Sequence, residues 1–430
     1  VNYVSVRVIS SFRATEYISW ANGGVLGNGE NAALPSDPFL LTGPSGDNYD
    51  LIGTDSELKQ AVDDFYSQPR TTNLYVQNLP SEGTLIQGEP MIPISGTDRK
   101  QWQVRSTKLE SLVEINKMTS SGLVDITGDE ASYDLTLGTV TYDTEMNDDL
   151  YIDYRIDALT YGLKKLASKD VQVVFKANET NIDNLQKVVD HAELASATQR
   201  FRMGIGMMPS GQVLDKTWLG YIPSLKSHRF AYIAHKCDET DAAAAAAGKI
   251  CGNVPSDSLT LETVYCDQDP SDPFTDDEEQ TFWDNQVIAF QPNRWEGSGV
   301  TFLHTYNMSP ESNNMWIDHV RTSDYCAILV ISRLTNPRII GGIGFTRPGM
   351  VQLRSTIEAS LMPALNYGFI NRIKNIDIPI EPIIIKGDSA SPAEKQYLLD
   401  EKSNRLIRGI QLVYEYPASP DKIDVTMVIE

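Results

Sequence analysis

Val4, Val6 and Val8 alternate with Ser5 and Arg7, the period-two pattern of a half-buried strand at the start of the chain. Residues 21–50 are rich in Gly, Asn, Pro, Ser and Asp, and this turn-forming content predicts a loop that sets the first strand apart as an arm. Apolar positions then take helical spacing. Leu58, Ala61, Val62 and Phe65 share one face, Thr54 with Glu57 reads as a capping box, and Pro69 stops the run. Leu74, Tyr75 and Val76 follow as a strand, so residues 51–80 form a helix-then-strand module of an α/β sheet.

Residues 81–165 change character, with Thr, Val, Tyr, Asp and Gly in short alternating stretches such as SYDLTLGTVTYD and LYIDYRI, and predict a β-rich insertion. VQVVFKA at 171–177 is a continuous apolar strand, and Leu185, Val188, Val189 and Ala192 mark a helix within 181–200. FRMGIGMM and RFAYIAHK are two more apolar strands, and TDAAAAAAGKICG is a helix whose small side chains allow close packing. YCAILVISRL fits a helix or a buried strand, and IIGGIGF a short strand or turn. Met350–Asn366 is a helix with Leu353, Ile357, Leu361 and Leu365 inward and Gly368 closing it, while Pro363 is expected to kink or end it. Two alternating strands, LIRGIQLVYEY and KIDVTMVIE, separated by Pro417 and Pro420, finish the chain.

This order predicts a mixed α/β (α+β) protein of several units. An N-terminal strand arm with the start of its linker covers 1–22, and the α/β body begins over 23–80. A β-rich inserted subdomain covers 81–165, the body resumes over 166–310, a C-terminal α/β core domain covers 311–420, and a C-terminal strand arm covers 421–430. A strand at each end offers unpaired backbone groups that another chain's sheet edge can satisfy. Val4, Val6, Val8, Val425, Met427 and Ile429 are therefore the candidate inter-subunit residues.

Composition narrows the function. Hydrophobic residues at 41% and charged residues at 22% are ordinary for a chain that folds. The net charge of −22 argues against nucleic acid and anionic membrane as partners, since both need excess Lys and Arg. Cys237, Cys251, Cys266 and Cys326 form no CxxC pair and read as reduced thiols. No run of 18 apolar residues and no basic-then-apolar leader is visible, so neither a membrane span nor an export signal is expected.

Candidate chemistry is sparse. The run ending Gly248, Lys249 lacks the spacing of a phosphate loop and has Ile250 at the hydroxyl position. Asp267, Asp269, Ser271 and Glu278 have the spacing of calcium-loop ligands, but Asp272 stands where that loop needs Gly, so residues 267–279 read as an exposed acidic connector. His319 among Asp318, Arg321 and Asp324 is the one polar constellation suggestive of catalysis, and a structural ion-pair role is the simpler reading. No catalytic residue, cofactor or metal is expected.

Three segments carry a family resemblance. TDSELKQAVDDFYSQPRTTNLYVQNL resembles the early helix and strand of contractile tail sheath proteins of tailed phages and related injection systems. WIDHVRTSDYCAILVISRL with IGFTRPGMVQLRSTIEASLMPALNYGFI resembles their C-terminal signature, in which Asp318, Arg321 and Asp324 open a helix and Phe345, Thr346 and Gly349 form the turn. RLIRGIQLVYEYPASPDKIDVTMVIE resembles their closing strands, the last of which leaves its own subunit.

The resemblance implies a structural subunit, not an enzyme. It would polymerise as a homo-oligomer of helical or ring stacks, hexameric per ring, around an inner tail tube and contract to drive that tube through an envelope. Its implied partners are the tube, baseplate and tail terminator proteins, and its implied place is the virion tail, assembled in the host cytoplasm. Arg354 and Glu358, at i,i+4 spacing on the 350–366 helix, would lie on the tube-facing side. The alternatives are a soluble α/β hydrolase-like enzyme using the His319 and Asp324 region, or another virion component of the tube or baseplate.

Overall fold

The computed structural model describes residues 21–417, apart from 30, 32, 70–72, 81–83, 105–108, 120–121, 131, 293–298, 311–315, 337–338, 340–341 and 406. Both expected terminal strands, at Val4–Val8 and Asp424–Ile429, lie outside the described residues.

The glycine-rich segment that opens the described chain is not the expected loop. Gly23–Gly27 is β1, a fully buried strand, and Phe39–Leu41 is β2. Glycine here serves close approach and not turning. A Cβ on Gly23 would lie 2.7 Å from the Phe65 ring, one on Gly24 2.8 Å from Val171, and one on Gly27 2.9 Å from Ala177. After a single turn, α1 (Asp47–Asp50), the helix α2 (Glu57–Ser67) buries Leu58, Ala61, Val62 and Phe65 as its spacing predicts. Its cap is Ser56 and not Thr54: the Ser56 hydroxyl accepts from the Lys59 amide at 3.1 Å. The strand β3 (Leu74–Asn78) then pairs parallel to β1 and antiparallel to β2.

The chain next leaves the body to build β4 (Thr84–Pro90), β5 (Ile92–Pro93), β6 (Gln101–Gln103), β7 (Leu109–Thr119), β8 (Gly122–Asp125), β9 (Ser132–Asp134), β10 (Thr139–Thr141) and β11 (Leu150–Ile156). These make two four-stranded antiparallel sheets, β5-β6-β10-β9 and β4-β11-β7-β8, around a separate core that includes Trp102, Ile115 and Tyr142. In β11, Leu150, Ile152, Tyr154 and Ile156 all point inward, the clean alternation of a strand with one solvated face. The helix α3 (Ala158–Leu166) returns to the body, where Leu159, Leu163 and Leu166 enter its core.

The body continues in α/β alternation. In chain order come β12 (Val173–Lys176), α4 (Ile182–Ala197), β13 (Met203–Met207), α5 (Lys216–Tyr221), β14 (Phe230–Ala234), α6 (Ala242–Gly252), β15 (Thr263–Val264), α7 (Asp276–Asn285), β16 (Ile288–Pro292) and β17 (Val300–Phe302). The nine-stranded sheet runs β15-β17-β16-β14-β13-β12-β1-β3-β2. Strands from β16 to β3 are parallel, and β2, β17 and β15 are antiparallel additions at the edges. Alternate residues of the strands serve opposite faces. Val25, Phe175, Ile205 and Ile233 pack with α2 and α6, while Leu26, Val174, Phe230 and Tyr232 pack with α3, α4 and α7.

Every residue of α6 is buried, which explains its run of alanines. At Gly248 a Cβ would lie 2.3 Å from the backbone oxygen of Phe65 in α2, so the two helices touch main chain to main chain. Gly248→Ala should therefore destabilise the body by about 2–3 kcal/mol through forced separation of α2 and α6. Gly220→Ala, with open space around it in α5, should be neutral or stabilising by up to about 1 kcal/mol. Chemical denaturation of the two variants checks the contrast, and equal effects would overturn it.

The C-terminal unit holds α8 (Ile317–Leu334), α9 (Arg347–Asn366), β18 (Arg372–Asp377), α10 (Glu381–Lys386), α11 (Pro392–Asn404) and β19 (Gln411–Glu415). YCAILVISRL is thus helical, and the described residues of IIGGIGF form no strand. Thr346 caps α9 by accepting from the Gly349 amide at 3.2 Å. Any side chain at 349 would collide with Gly344, whose carbonyl oxygen lies 2.0 Å from the Cβ position. The helix runs on through Pro363 to Asn366, and Gly368 follows at φ +76°. Leu353, Ile357 and Leu361 are buried, and Leu365 packs partly buried against the same core.

Candidate assembly surface

A parallel sheet of this kind places its crevice where strand order reverses, between the C-terminal ends of β1 and β12. Here the chain covers that place with its own groups. The Asn28 amide donates to Glu57 at 3.1 Å, the Gly29 amide to Asn78 at 2.9 Å, and the Asn178 amide to Asp241 at 2.7 Å. Leu34 packs so close to Gly29 that a Cβ there would lie 2.2 Å from its methyl group.

The constellation around His319 is a strut between two units. The first turns of α8 face the body, where Ile317 and Val320 join the core beneath α6. The buried Arg321 guanidinium donates to the carbonyl of Asn253 at 2.7 Å, placing positive charge at the C-terminus of α6. Burial lowers the Arg321 pKa to about 10, which leaves it charged at neutral pH. Arg229, before β14, is ion-paired with Asp324, whose carboxyl burial pushes up and Arg229 draws back down. The Tyr416 hydroxyl, just past β19, donates to Asp318 and also to the Ser256 carbonyl at 3.1 Å, and the His319 ring meets the Tyr416 ring edge-on at 4.2 Å. The second half of α8 then enters the C-terminal core through Cys326, Leu329 and Val330. One helix therefore belongs to both cores, and its Asp318, Arg321 and Asp324 are engaged where they meet.

Beyond the strut, β18 and β19 pair as an antiparallel sheet of two strands. Such a pair is marginal alone and gains stability from further strands or a helix beneath it. Ile376, Ile373, Leu412 and Tyr414 supply the buried face against α9. A groove of about 370 Å³ runs between α9 and β18, lined by Arg354, Glu358, Met362 and residues 373–376. Arg354 does not sit free for a partner, since its guanidinium is ion-paired with Glu381 of α10 and also donates to the Ile376 carbonyl. Glu358 and Met362 are exposed on the groove wall.

The acidic segment 267–279 is exposed over most of its length, as expected, and is anchored to the body at a few points. Asp267 accepts from the amides of Asp238, Glu239 and Thr240 at 3.2, 2.6 and 3.1 Å, Gln268 and Phe274 are buried, and Thr275 with Glu278 forms the capping box of α7. Asp269 and Asp272 remain exposed. Among the described residues no group of three or more His, Cys, Asp or Glu is placed to hold a metal ion, and no helix is long and apolar enough to cross a membrane.

No protein-family model matches the chain, and no curated protein matches it in sequence. Solved structures do match in three dimensions. The sheath tail protein of Desulfitobacterium hafniense superposes over 85% of this chain and 92% of its own, with TM-score 0.53 at 10% identity. The PVC sheath complex of an extracellular contractile injection system, in its contracted state, matches over 96% and 92%, with TM-score 0.57 at 9% identity. The helical sheath of the anti-feeding prophage, also contracted, matches over 98% and 99%, with TM-score 0.56 at 9% identity. The class is thus a mixed α/β protein of several units. The particular fold is that of the sheath tail proteins of phage-like contractile systems.

Proposed function

We propose that this chain is the subunit of a contractile sheath, polymerising around an inner tube and contracting to drive it forward. The observation that carries this is the extent of the shared fold, which spans 96–98% of this chain and 92–99% of contracted sheath chains. Charge supports it. Residues 1–310 hold 23 Lys and Arg against 44 Asp and Glu, whereas 311–417 hold 12 against 11, so the body is strongly acidic and the C-terminal unit is close to neutral. Acidity on the body favours solubility and suppresses indiscriminate association, and a near-neutral unit packs against copies of itself with little repulsion. Residues of the hydrolase alternative, His319 and Asp324, are engaged with Tyr416 and Arg229 in the strut.

Within this reading the terminal strands at Val4, Val6 and Val8 and at Val425, Met427 and Ile429 add to sheets of neighbouring subunits, with the two-stranded β18–β19 sheet as the acceptor. The groove beside Glu358 faces the tube. Negative-stain electron microscopy of the purified protein tests the function: tubes or stacked rings are expected, and uniform small particles under all assembly conditions would overturn it. Glu358→Lys should leave the thermal unfolding of the subunit unchanged and alter the salt dependence of sheath assembly on the tube. Arg354→Glu should in addition destabilise the C-terminal unit by about 1–2 kcal/mol, because Glu381 loses its partner. Unchanged co-assembly of both variants across salt concentrations would remove the groove from the tube interface.

A further inference from the structure

We propose that residues 84–156 form an independently folding module, joined to the body at one paired attachment and able to open while the body stays folded. Its two ends meet. β4 begins at Thr84 and β11 ends at Ile156, and these residues face each other as a cross-strand pair, where antiparallel Cα atoms lie about 5 Å apart. The body is closed on either side of that attachment. Leu79, just past β3, donates its amide to the Gly27 carbonyl at 2.8 Å and is buried in the body core. Asp157 caps α3 by accepting from the Thr160 amide at 2.8 Å, and it is ion-paired with Lys187 of α4 at 3.1 Å.

Between these anchors the insertion satisfies its needs internally. Trp102, Ile115, Val140, Ile152 and Tyr154 are buried in a cluster separate from those of the body. Among the described residues, Tyr161 of α3 is the one hydrophobic side chain of the body packed against that cluster. The two sheets of the insertion are tied to each other, since the Leu109 amide of β7 donates to the Leu135 carbonyl just past β9 at 2.8 Å. Arg99 donates to the Met146 carbonyl at 3.0 Å, and the Trp102 indole donates to the Arg99 carbonyl at 2.9 Å. The Tyr154 hydroxyl donates to Glu89 at 2.6 Å, again within the insertion. Among the described residues, no strand from β4 to β11 lies in extended contact with an element of the body. Two four-stranded sheets around a core of their own are enough for a fold of this length to stand without disulfide or metal. Opening the module leaves the nine-stranded sheet and its helices in place, so little of its disorder is passed on through shared contacts.

Hydrogen exchange of the full chain, read by peptide mass spectrometry, tests the independence. Ile115→Ala removes a fully buried side chain from the insertion core. Exchange should accelerate by roughly tenfold or more across residues 84–156 and stay unchanged in β1, β12 and β13. Acceleration spread over both units, or confined to the neighbours of Ile115, would overturn the proposal. A second arm uses the full chain with residues 84–156 replaced by Gly-Gly across the attachment. Its thermal transition should lie within about 3 °C of the body transition of the intact protein. A variant that is unfolded, or that melts more than about 3 °C lower, would overturn the proposal as well.

Discussion

Deleting residues 1–12, or residues 421–430, should leave a folded, soluble subunit that no longer forms tubes. The body sheet closes without the first segment. From Asn22 onward the chain is held by its own body, with the Asn22 amide on the Gln172 side chain at 2.7 Å and the Gly23 amide on the Asn73 carbonyl at 2.9 Å. At the other end β19 finishes at Glu415, and Tyr416 is tied to Ser256 and Asp318. The core clusters are built among residues 21–417, and the truncations are expected to remove pairing capacity without opening a cavity. Strands β1 and β2 build the 21–50 segment into the body, so it is not the free linker expected for an N-terminal arm. Thermal unfolding should change by less than about 2 °C if the arms do not belong to their own core. Electron microscopy should show loss of tubes. A truncated protein that melts markedly earlier, or one that still assembles, would show that the strand in question serves its own subunit.

Arg202→Ala should cost about 3–5 kcal/mol of body stability. Arg202 is 1% exposed, and one of its terminal nitrogens donates to the carbonyls of Leu166, Ala167 and Lys169 at 3.0, 3.2 and 2.8 Å, closing the C-terminus of α3. Its other terminal nitrogen lies 2.7 Å from His191 Nε2. Burial lowers the His191 pKa to about 3, so the imidazole is neutral and accepts this bond. Alanine strands the carbonyls and leaves a cavity. Lysine cannot reach them together and should recover only part of the loss. The pH dependence has a definite sign. A histidine kept neutral in the fold contributes stability that is complete above its unfolded pKa of 6.5 and is lost as pH falls toward 3. His191→Gln, which retains an acceptor and cannot charge, should flatten that part of the acid limb. Urea unfolding from pH 8 to pH 4 reads both effects, and a wild-type acid limb identical to that of His191→Gln would rule out this source.

Elements with a strong period were legible in the sequence, and elements made by tertiary packing were not. Leu58, Ala61, Val62 and Phe65 share a helical face whatever surrounds them, and they are buried as their spacing predicts. The same holds for Leu185, Val188, Val189 and Ala192. Gly23, Gly24 and Gly27 carry no period, and only the nearness of Phe65, Val171 and Ala177 shows why glycine is needed there. Local composition could equally describe a turn. The cap of α2 was misplaced by two residues because Thr54 and Ser56 offer the same chemistry, and only the entry path of the chain selects between them. Asp318, Arg321 and Asp324 were visible as a charged constellation at helical spacing. That they bind Tyr416, Asn253 and Arg229 depends on contacts between residues far apart in the chain. Arg202 gave no local signal, because its partners on α3 lie more than 30 residues away.

The position of β1 in the sheet has a mechanical consequence. The residues that precede it connect to a central strand and not to an edge strand, and β1 is hydrogen-bonded on both sides, to β12 and to β3, in parallel register. A pull applied through residues 1–20 is therefore directed along the strand and loads both ladders in shear. Their bonds must yield together, whereas an edge strand such as β2 would peel away bond by bond. Load passed in through residues 1–20 would thus meet the part of the sheet best able to bear it.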